Sequence, residues 1–310
     1  KIHWLLPLFL WGELQLCMGF VSHATQRKYL HAHQLHSTSS PWLQPIDLVD
    51  DLKEGDLVVS RVESSLGCHD LRQPYFHKSV VLILDHDPDD FVQGVLLNRA
   101  SDLVLRDEDI VYEGEGEEEA TTDISKPSND LWRIHFGGDI GSWYEGQPNF
   151  VCLHTISSDA ALAVSDPILL EYGIERNIFI TSHYGAKTLI GSGEATSDSF
   201  FTFGGFCGWE EGQLQKEVDR GSWYIAALSP LNTTEATKDT PPSTLWHMMK
   251  SYSWKNAEYN PQSAGIDFWE TIMKAMGKND EIGSFNTFSD LMLKEWATER
   301  LLVAKIDNDT

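Results

Sequence analysis

The chain has 310 residues, 41% of them hydrophobic, with 11 tryptophans and a formal net charge of −24. That length and apolar content can enclose the core of one large domain or two small ones, which excludes wholesale disorder. The negative field excludes non-specific binding to nucleic acid or anionic lipid, because both need clustered Lys and Arg.

The first segment reads as a leader over residues 1–45. Trp4–Trp11 is an apolar run behind Lys1, too short to span a bilayer and of the length of a signal-peptide core. Cys17-Met18-Gly19 then puts small residues at the −3 and −1 positions of a cut before Phe20. From Phe20 to Pro45 there is no acidic residue, and the stretch is rich in His, Ser, Thr and Gln, with Arg27 and Lys28. A signal peptide followed by Phe and a transit-like stretch resembles the bipartite presequence of algae with secondary plastids. The expected location is therefore a plastid stroma, with secretion as the alternative and no membrane attachment of the mature form.

The domain that follows is expected over residues 46–232. Asp56–Val62 and the continuous β-branched run Ser79–Leu84 read as strands, the second of them buried. Asp87–Asp90 is a turn that pairs this run with Phe91–Leu97 as a hairpin. Asp107–Asp123 holds nine acidic residues and no basic one, with Gly114 and Gly116. It reads as a solvated insert over 107–130 and lacks EF-hand spacing. Strands are expected at Trp132–Phe136, Phe150–His154, Ile178–Thr181, Phe200–Cys207 and Trp223–Leu228. Ser182–Ile190 reads as a helical turn and Glu210–Arg220 as an amphipathic helix. Residues 233–310 begin with a Thr/Pro linker. Three helices follow, Leu245–Tyr252, Ile266–Met276 and Phe288–Leu302, packed on the same domain.

Cys17, Cys68, Cys152 and Cys207 form no CxxC pair, so a zinc ribbon and a thioredoxin motif are excluded. Removing the leader leaves three, an odd number that fits a reducing compartment better than a disulfide scaffold. The histidines, among them His69, His77 and His86, lack metal-ligand spacing, and no cofactor motif is present: Gly191-Ser192-Gly193 and Gly204-Gly205 match neither phosphate-loop nor dinucleotide spacing.

Two blocks carry a family resemblance. One is Ser79-Val-Val-Leu-Ile-Leu-Asp-His86 followed by Gly94-Val-Leu-Leu-Asn98-Arg99. The other is Gly205-Phe-Cys-Gly-Trp-Glu-Glu-Gly-Gln-Leu-Gln-Lys-Glu217 followed by Gly221-Ser-Trp223, with Phe136-Gly137-Gly138 and Val151-Cys-Leu-His154 between them. Their order and spacing resemble the YqgE/AlgH family over about residues 50–232, and the C-terminal helices resemble the extension of plastid members. The sequence departs from the pattern at Ala100 and Asp139, where Pro is usual, and at Phe206-Cys207, where Tyr-Ala is usual. The resemblance implies an α+β fold with a bent, partly barrel-like mixed sheet, flanking helices and a C-terminal helical extension. It implies no established reaction. A role in transcription attaches to one bacterial member by name, and the acidity of this chain opposes its transfer.

Two kinds of function stay open. The leading one is a non-catalytic module for an unknown protein or small ligand. Its binding residues would come from Asn98, Gly137, Gly138, His154, Gly208, Trp209, Gln213 and Glu217, with Trp209, Gln213 and Glu217 spaced to share one helical face. The bland alternative is that Trp209 anchors the helix to the sheet while Gln213 and Glu217 satisfy buried backbone groups. The other kind is an enzyme with Cys207 as a thiol nucleophile, activated at a helix start, and His154 as its base. Against it stands the ordinary reading of Cys207 as a small buried hydrophobe.

Overall fold

The computed structural model describes residues 42–47, 49–62, 73–87, 91–107, 110, 130–142, 150–169, 177–228, 241–282 and 287–302. The leader up to residue 41, most of the acidic run and of the Thr/Pro linker, and Cys17, Cys68 and His69 lie outside the described residues. Twelve described strands form two six-stranded sheets. The first sheet has the order β1 (Leu43–Ile46), β12 (Trp223–Leu228), β2 (Leu57–Ser60), β3 (Val80–His86), β4 (Phe91–Leu96), β11 (Cys207–Glu210). The second runs β5 (Ala100–Arg106), β6 (Leu131–Phe136), β10 (Phe201–Gly204), β7 (Phe150–His154), β9 (Ile178–Ser182), β8 (Asp166–Leu169). β10 lies parallel to β6, and the other pairs named here are antiparallel, so the architecture is mixed α+β.

The central strands are continuously apolar because both faces are covered. On β3, Val80, Leu82 and Leu84 enter one core, and Val81 and Ile83 enter the other, as the two-residue period of a strand requires. The first of these cores lies between the sheets. It takes Leu57 and Val59 from one side and Leu153, Phe201 and Phe203 from the other, and is closed by helices α4 (Pro241–Ser251) and α5 (Ile266–Ala275) through Trp246, Phe268 and Trp269. The opposite face of the first sheet packs against α3 (Gln213–Asp219) through Leu214 and against α6 (Thr287–Arg300) through Leu293 and Ala297. The outer face of the second sheet is covered by α1 (Asp159–Leu162) and α2 (His183–Gly191) through Ala161, Ala186 and Leu189. None of the described helices is long and apolar enough to cross a membrane.

The chain passes from one sheet to the other at the family motifs. Leu96 N–H donates to the Gly137 carbonyl (2.8 Å), while Gly137 N–H donates to the Gly204 carbonyl (3.0 Å), so one residue stitches both sheets. A Cβ on Gly138 would lie 2.1 Å from the Phe206 backbone, and one on Gly137 would lie 2.1 Å from the Gly205 carbonyl, so only glycine permits this approach. Gly205 itself has φ +77°. The expected α+β fold with flanking and C-terminal helices is therefore present, its β-structure built as two sheets that share a stitched junction and do not close into a barrel.

Three sequence expectations change. The run Phe200–Cys207 is two strands, β10 and β11, because the turn at Gly205 sends the chain to the other sheet. The helix expected at Glu210–Arg220 starts at Gln213, after Gly212 at φ +64°. Leu43–Pro45, placed by composition in the leader, lie in β1, which pairs with β12.

Candidate functional site

The Gly-Trp block builds a cavity of about 250 Å³ where β11 turns into α3. Trp209 projects from β11 and Trp223 from β12, and their rings meet edge-on at 6.0 Å. Each is 3% exposed. Both indole N–H groups donate to one oxygen, Oε2 of Glu217, at 3.0 Å from Trp209 and 2.7 Å from Trp223. Gln213 Nε2 donates to the other oxygen, Oε1, at 2.9 Å, and Gln213 Oε1 accepts the Glu210 backbone N–H at 3.1 Å. Two strands and one helical repeat thus converge on a single carboxylate. Trp209, Gln213 and Glu217 do come together, but Trp209 reaches the group from a strand rather than from the helix.

Asp139, Ile140 and Phe76 complete the walls, and Arg220 stands at the rim. Tyr75 O–H donates to Asp139 Oδ2 at 2.7 Å, which leaves Oδ1 of Asp139 without a hydrogen bond from the described protein. Glu217 Oε1 has a second acceptor direction, approached by Arg220 at 3.9 Å, beyond hydrogen-bond range. Gly208 lines the cavity, where a Cβ would meet Phe91 at 2.2 Å. The sequence singled out Gly208, Trp209, Gln213 and Glu217 but not Asp139, Trp223 or Phe76. The Gly-Ser-Trp223 block was a signal for the second indole, since its strand neighbours Trp209 only through the fold.

The remaining candidates lie elsewhere. Asn98 is fully used by backbone: it accepts Val80 N–H and donates to the carbonyls of Lys78 and Gly265. Beside it Arg99, completely buried, donates to the carbonyls of Tyr75, His77, Asn98 and Ala264. Burial without a carboxylate partner pulls its guanidinium down to about 9. Gly137 and Gly138 form the sheet junction and do not line the cavity.

Cys207 and His154 belong to different sheets, near opposite ends of β10, which by strand rise spans roughly 10 Å. The Cys207 thiol is fully buried and donates to the Gly137 carbonyl at 3.4 Å. Burial, reinforced by nearby Asp139, pushes it well above the ordinary thiol range, so no helix start activates it. His154 hydrogen-bonds Ser165 through Nε2 at 2.8 Å and accepts Ile156 N–H at Nδ1 at 3.2 Å. It stacks on Phe179, and burial pushes its pKa down to about 4. Among the described residues, no group of three or more His, Cys, Asp or Glu could hold a metal ion.

A family model described as AlgH-like matches residues 67–256. A UPF0301 protein of Thermobifida fusca is 28% identical over 163 residues, covering 50% of this chain and 69% of that protein. A UPF0301 protein of Idiomarina loihiensis is 25% identical over 207 residues, covering 64% of this chain and 88% of that protein. Among solved structures, the AlgH protein of Pseudomonas aeruginosa is similar at a TM-score of 0.34 and 17% identity, over 64% of this chain and 87% of that one. A Corynebacterium diphtheriae protein gives 0.39 and 15%, over 78% and 92%.

Proposed function

This chain belongs to the AlgH-like family, and from that premise we propose that it is a non-catalytic binding module whose cavity takes a small amine- or guanidine-bearing molecule. The carrying observation is the pair of carboxylates, Asp139 and Glu217, each with an acceptor direction left open beside the aromatic rings of Trp209, Trp223 and Phe76. A cation there gains charge-assisted hydrogen bonds and lies against ring faces. The net charge of −24 raises the local concentration of cations around the molecule. A cavity of about 250 Å³ suits a ligand below drug size. Arg220 is 69% exposed and 3.9 Å from Glu217, and such a pair holds under about 1 kcal/mol, so an incoming amine displaces it at small cost.

A binding role is favoured over catalysis because the thiol and the imidazole proposed for chemistry are buried and engaged apart from each other. We further propose a plastid location, on the strength of the acid-free stretch behind the Phe20 cut site. Fusing residues 1–45 to a fluorescent protein in a diatom-like host tests it: plastid import supports the reading and export to the medium ends it.

Calorimetric titration with putrescine and methylguanidinium tests the cavity. Both should bind, and urea, a neutral shape relative of guanidinium, should not. Asp139→Asn should weaken the amines about tenfold, the effect of losing one charged hydrogen bond. Equal binding of urea and methylguanidinium, or an unchanged Asp139→Asn affinity, would sink the proposal.

A further inference from the structure

A second cavity, of about 500 Å³, lies between β6, the turn that precedes β10 and the end of α4. It runs against the charge of the molecule. Arg133, Lys250 and Lys255 all line it, with Asp198 as the acidic residue among them. Among the described residues none of the three cations forms an ion pair. They are held instead over aromatic rings: Arg133 5.6 Å from Trp254, Lys250 5.6 Å from Trp246, and Lys255 5.0 Å from Phe201. Lys255 also donates to the Asp198 carbonyl. Burial lowers the Lys255 ammonium, and repulsion from Lys250 and Arg133 adds to that effect against the attraction of Asp198.

The polar groups deeper in the cavity are incomplete. His135 is 3% exposed, and neither ring nitrogen meets a partner with full hydrogen-bond geometry; the Thr202 backbone acts on the ring as a hydrogen-bonding neighbour and opposes part of the effect of burial. The indole N–H of Trp254 is also buried without a partner. Native interiors rarely leave such groups unsatisfied, and these two donors, lining the cavity beside three cations, point to an absent acceptor. Burial, with the charges of Lys255 and Arg133, holds His135 down to about 3, so the ring is neutral and keeps one N–H to donate.

We propose that this cavity binds a small organic phosphate monoester. Three cations and one carboxylate leave a surplus matched by the −1.5 to −2 charge that is typical, roughly, of a phosphate monoester at neutral pH. The planar fork of Arg133 suits two phosphate oxygens at once, while the lysines act as point charges. The indole of Trp254 and the ring of Phe200 offer an apolar wall to the organic part. A nucleic acid is a poor alternative, because the rest of the chain repels a polyanion.

The test is calorimetry on the full chain at pH 7.5 with phenyl phosphate, inorganic phosphate and benzoate. Phenyl phosphate should bind, with the other two weaker by about tenfold or more, since each lacks either the ring or the second charge. Arg133→Gln and Lys250→Gln should each weaken phenyl phosphate by about tenfold. Their melting temperatures should hold or rise, because like charges are being removed, and this separates lost binding from lost folding. Benzoate or inorganic phosphate binding as tightly as the ester would overturn the proposal, as would variants that bind like the parent chain. Binding seen only after removal of residues 111–129 would also overturn it, in favour of the chain's own acidic segment as occupant.

Discussion

Arg99 and Ala264, 165 positions apart in sequence, meet through a 2.7 Å hydrogen bond from the buried guanidinium to the Ala264 carbonyl. Three more carbonyls complete the set, so one side chain at the sheet crossover holds the loop before α5 and the segment before β3 together. Lysine offers a point charge and cannot serve four carbonyls in the geometry of a fork. Arg99→Lys should cost on the order of 3 kcal/mol, because buried acceptors are left unpaired. Urea unfolding reads this directly, and a loss below about 1 kcal/mol would show the fork to be unimportant.

Glu217 accepts two indole N–H groups from side chains that are each only 3% exposed. Glu217→Ala should therefore cost on the order of 3 kcal/mol or more, through two orphaned donors. Glu217→Gln keeps one carbonyl oxygen and should cost about half as much. Near-equal values for the two variants would mean that the carboxylate contributes charge rather than acceptance.

The two described cysteines should resist alkylation. Cys152 is pushed up to about 12 by burial, and Cys207 is shielded in the same way and raised well above its usual range. Iodoacetamide at neutral pH, followed by peptide mapping, should mark neither in the native protein and both after denaturation. Fast native labelling of Cys207 that depends on His154 would restore the thiol-enzyme reading.

Acid should unfold the protein early. Burial pushes His135 down to about 3 and His154 and His183 down to about 4, so the folded state binds fewer protons than the unfolded state below the ordinary imidazole value of 6.5. A depressed pKa contributes stability that is present above 6.5 and lost as pH falls through the folded value. For His154 alone the loss is about 3 kcal/mol. Asp56 acts in the opposite sense. Burial raises it to about 6, so it gains stability between pH 6 and 3.8, and one such group offsets only part of three histidines. Melting temperature should fall steadily from pH 6.5 to 4, and His154→Asn should flatten that slope.

Glycine substitutions separate the junction from the periphery. Gly138→Ala puts a methyl group 2.1 Å from backbone atoms of Phe206 and should abolish stable folding. Gly191, in the last turn of α2, has nothing within 4 Å of a built Cβ, so Gly191→Ala should gain about 0.5 kcal/mol through helix propensity. Circular dichroism melts of the two variants should move in opposite directions.

The strands that sequence reading located are the eight interior ones, and the four it missed are the four sheet edges. β1 and β11 border the first sheet, and β5 and β8 border the second. An interior strand such as Val80–Leu84 is covered on both faces and reads as an unbroken apolar run. An edge strand such as Asp166–Leu169 or Cys207–Glu210 has one neighbour and carries Asp, Pro, Gly or Glu, which local patterns assign to turns or helix starts. The cavity at Glu217 was legible in part for the same reason. Trp209, Gln213 and Glu217 are near in sequence, whereas Asp139 and Trp223 arrive by strand pairing and by the crossover at Gly138. The basic cavity had no local signal, because Arg133, Lys250 and Lys255 gather from separate elements.

The pairing of β1 with β12 joins the first described strand to the last one of the first sheet, Leu43 opposite Leu228. A ribosome must therefore deliver residue 228 before that edge can close, and residue 264 before Arg99 has all its partners. Until then the apolar strands β2, β3 and β4 emerge early with no lasting cover. Long-range pairing of this kind folds slowly and exposes sticky surface to neighbours. Charge repulsion gives those early strands little protection, because residues 1–100 hold 12 acidic and 8 basic residues and so carry only −4 of the final −24.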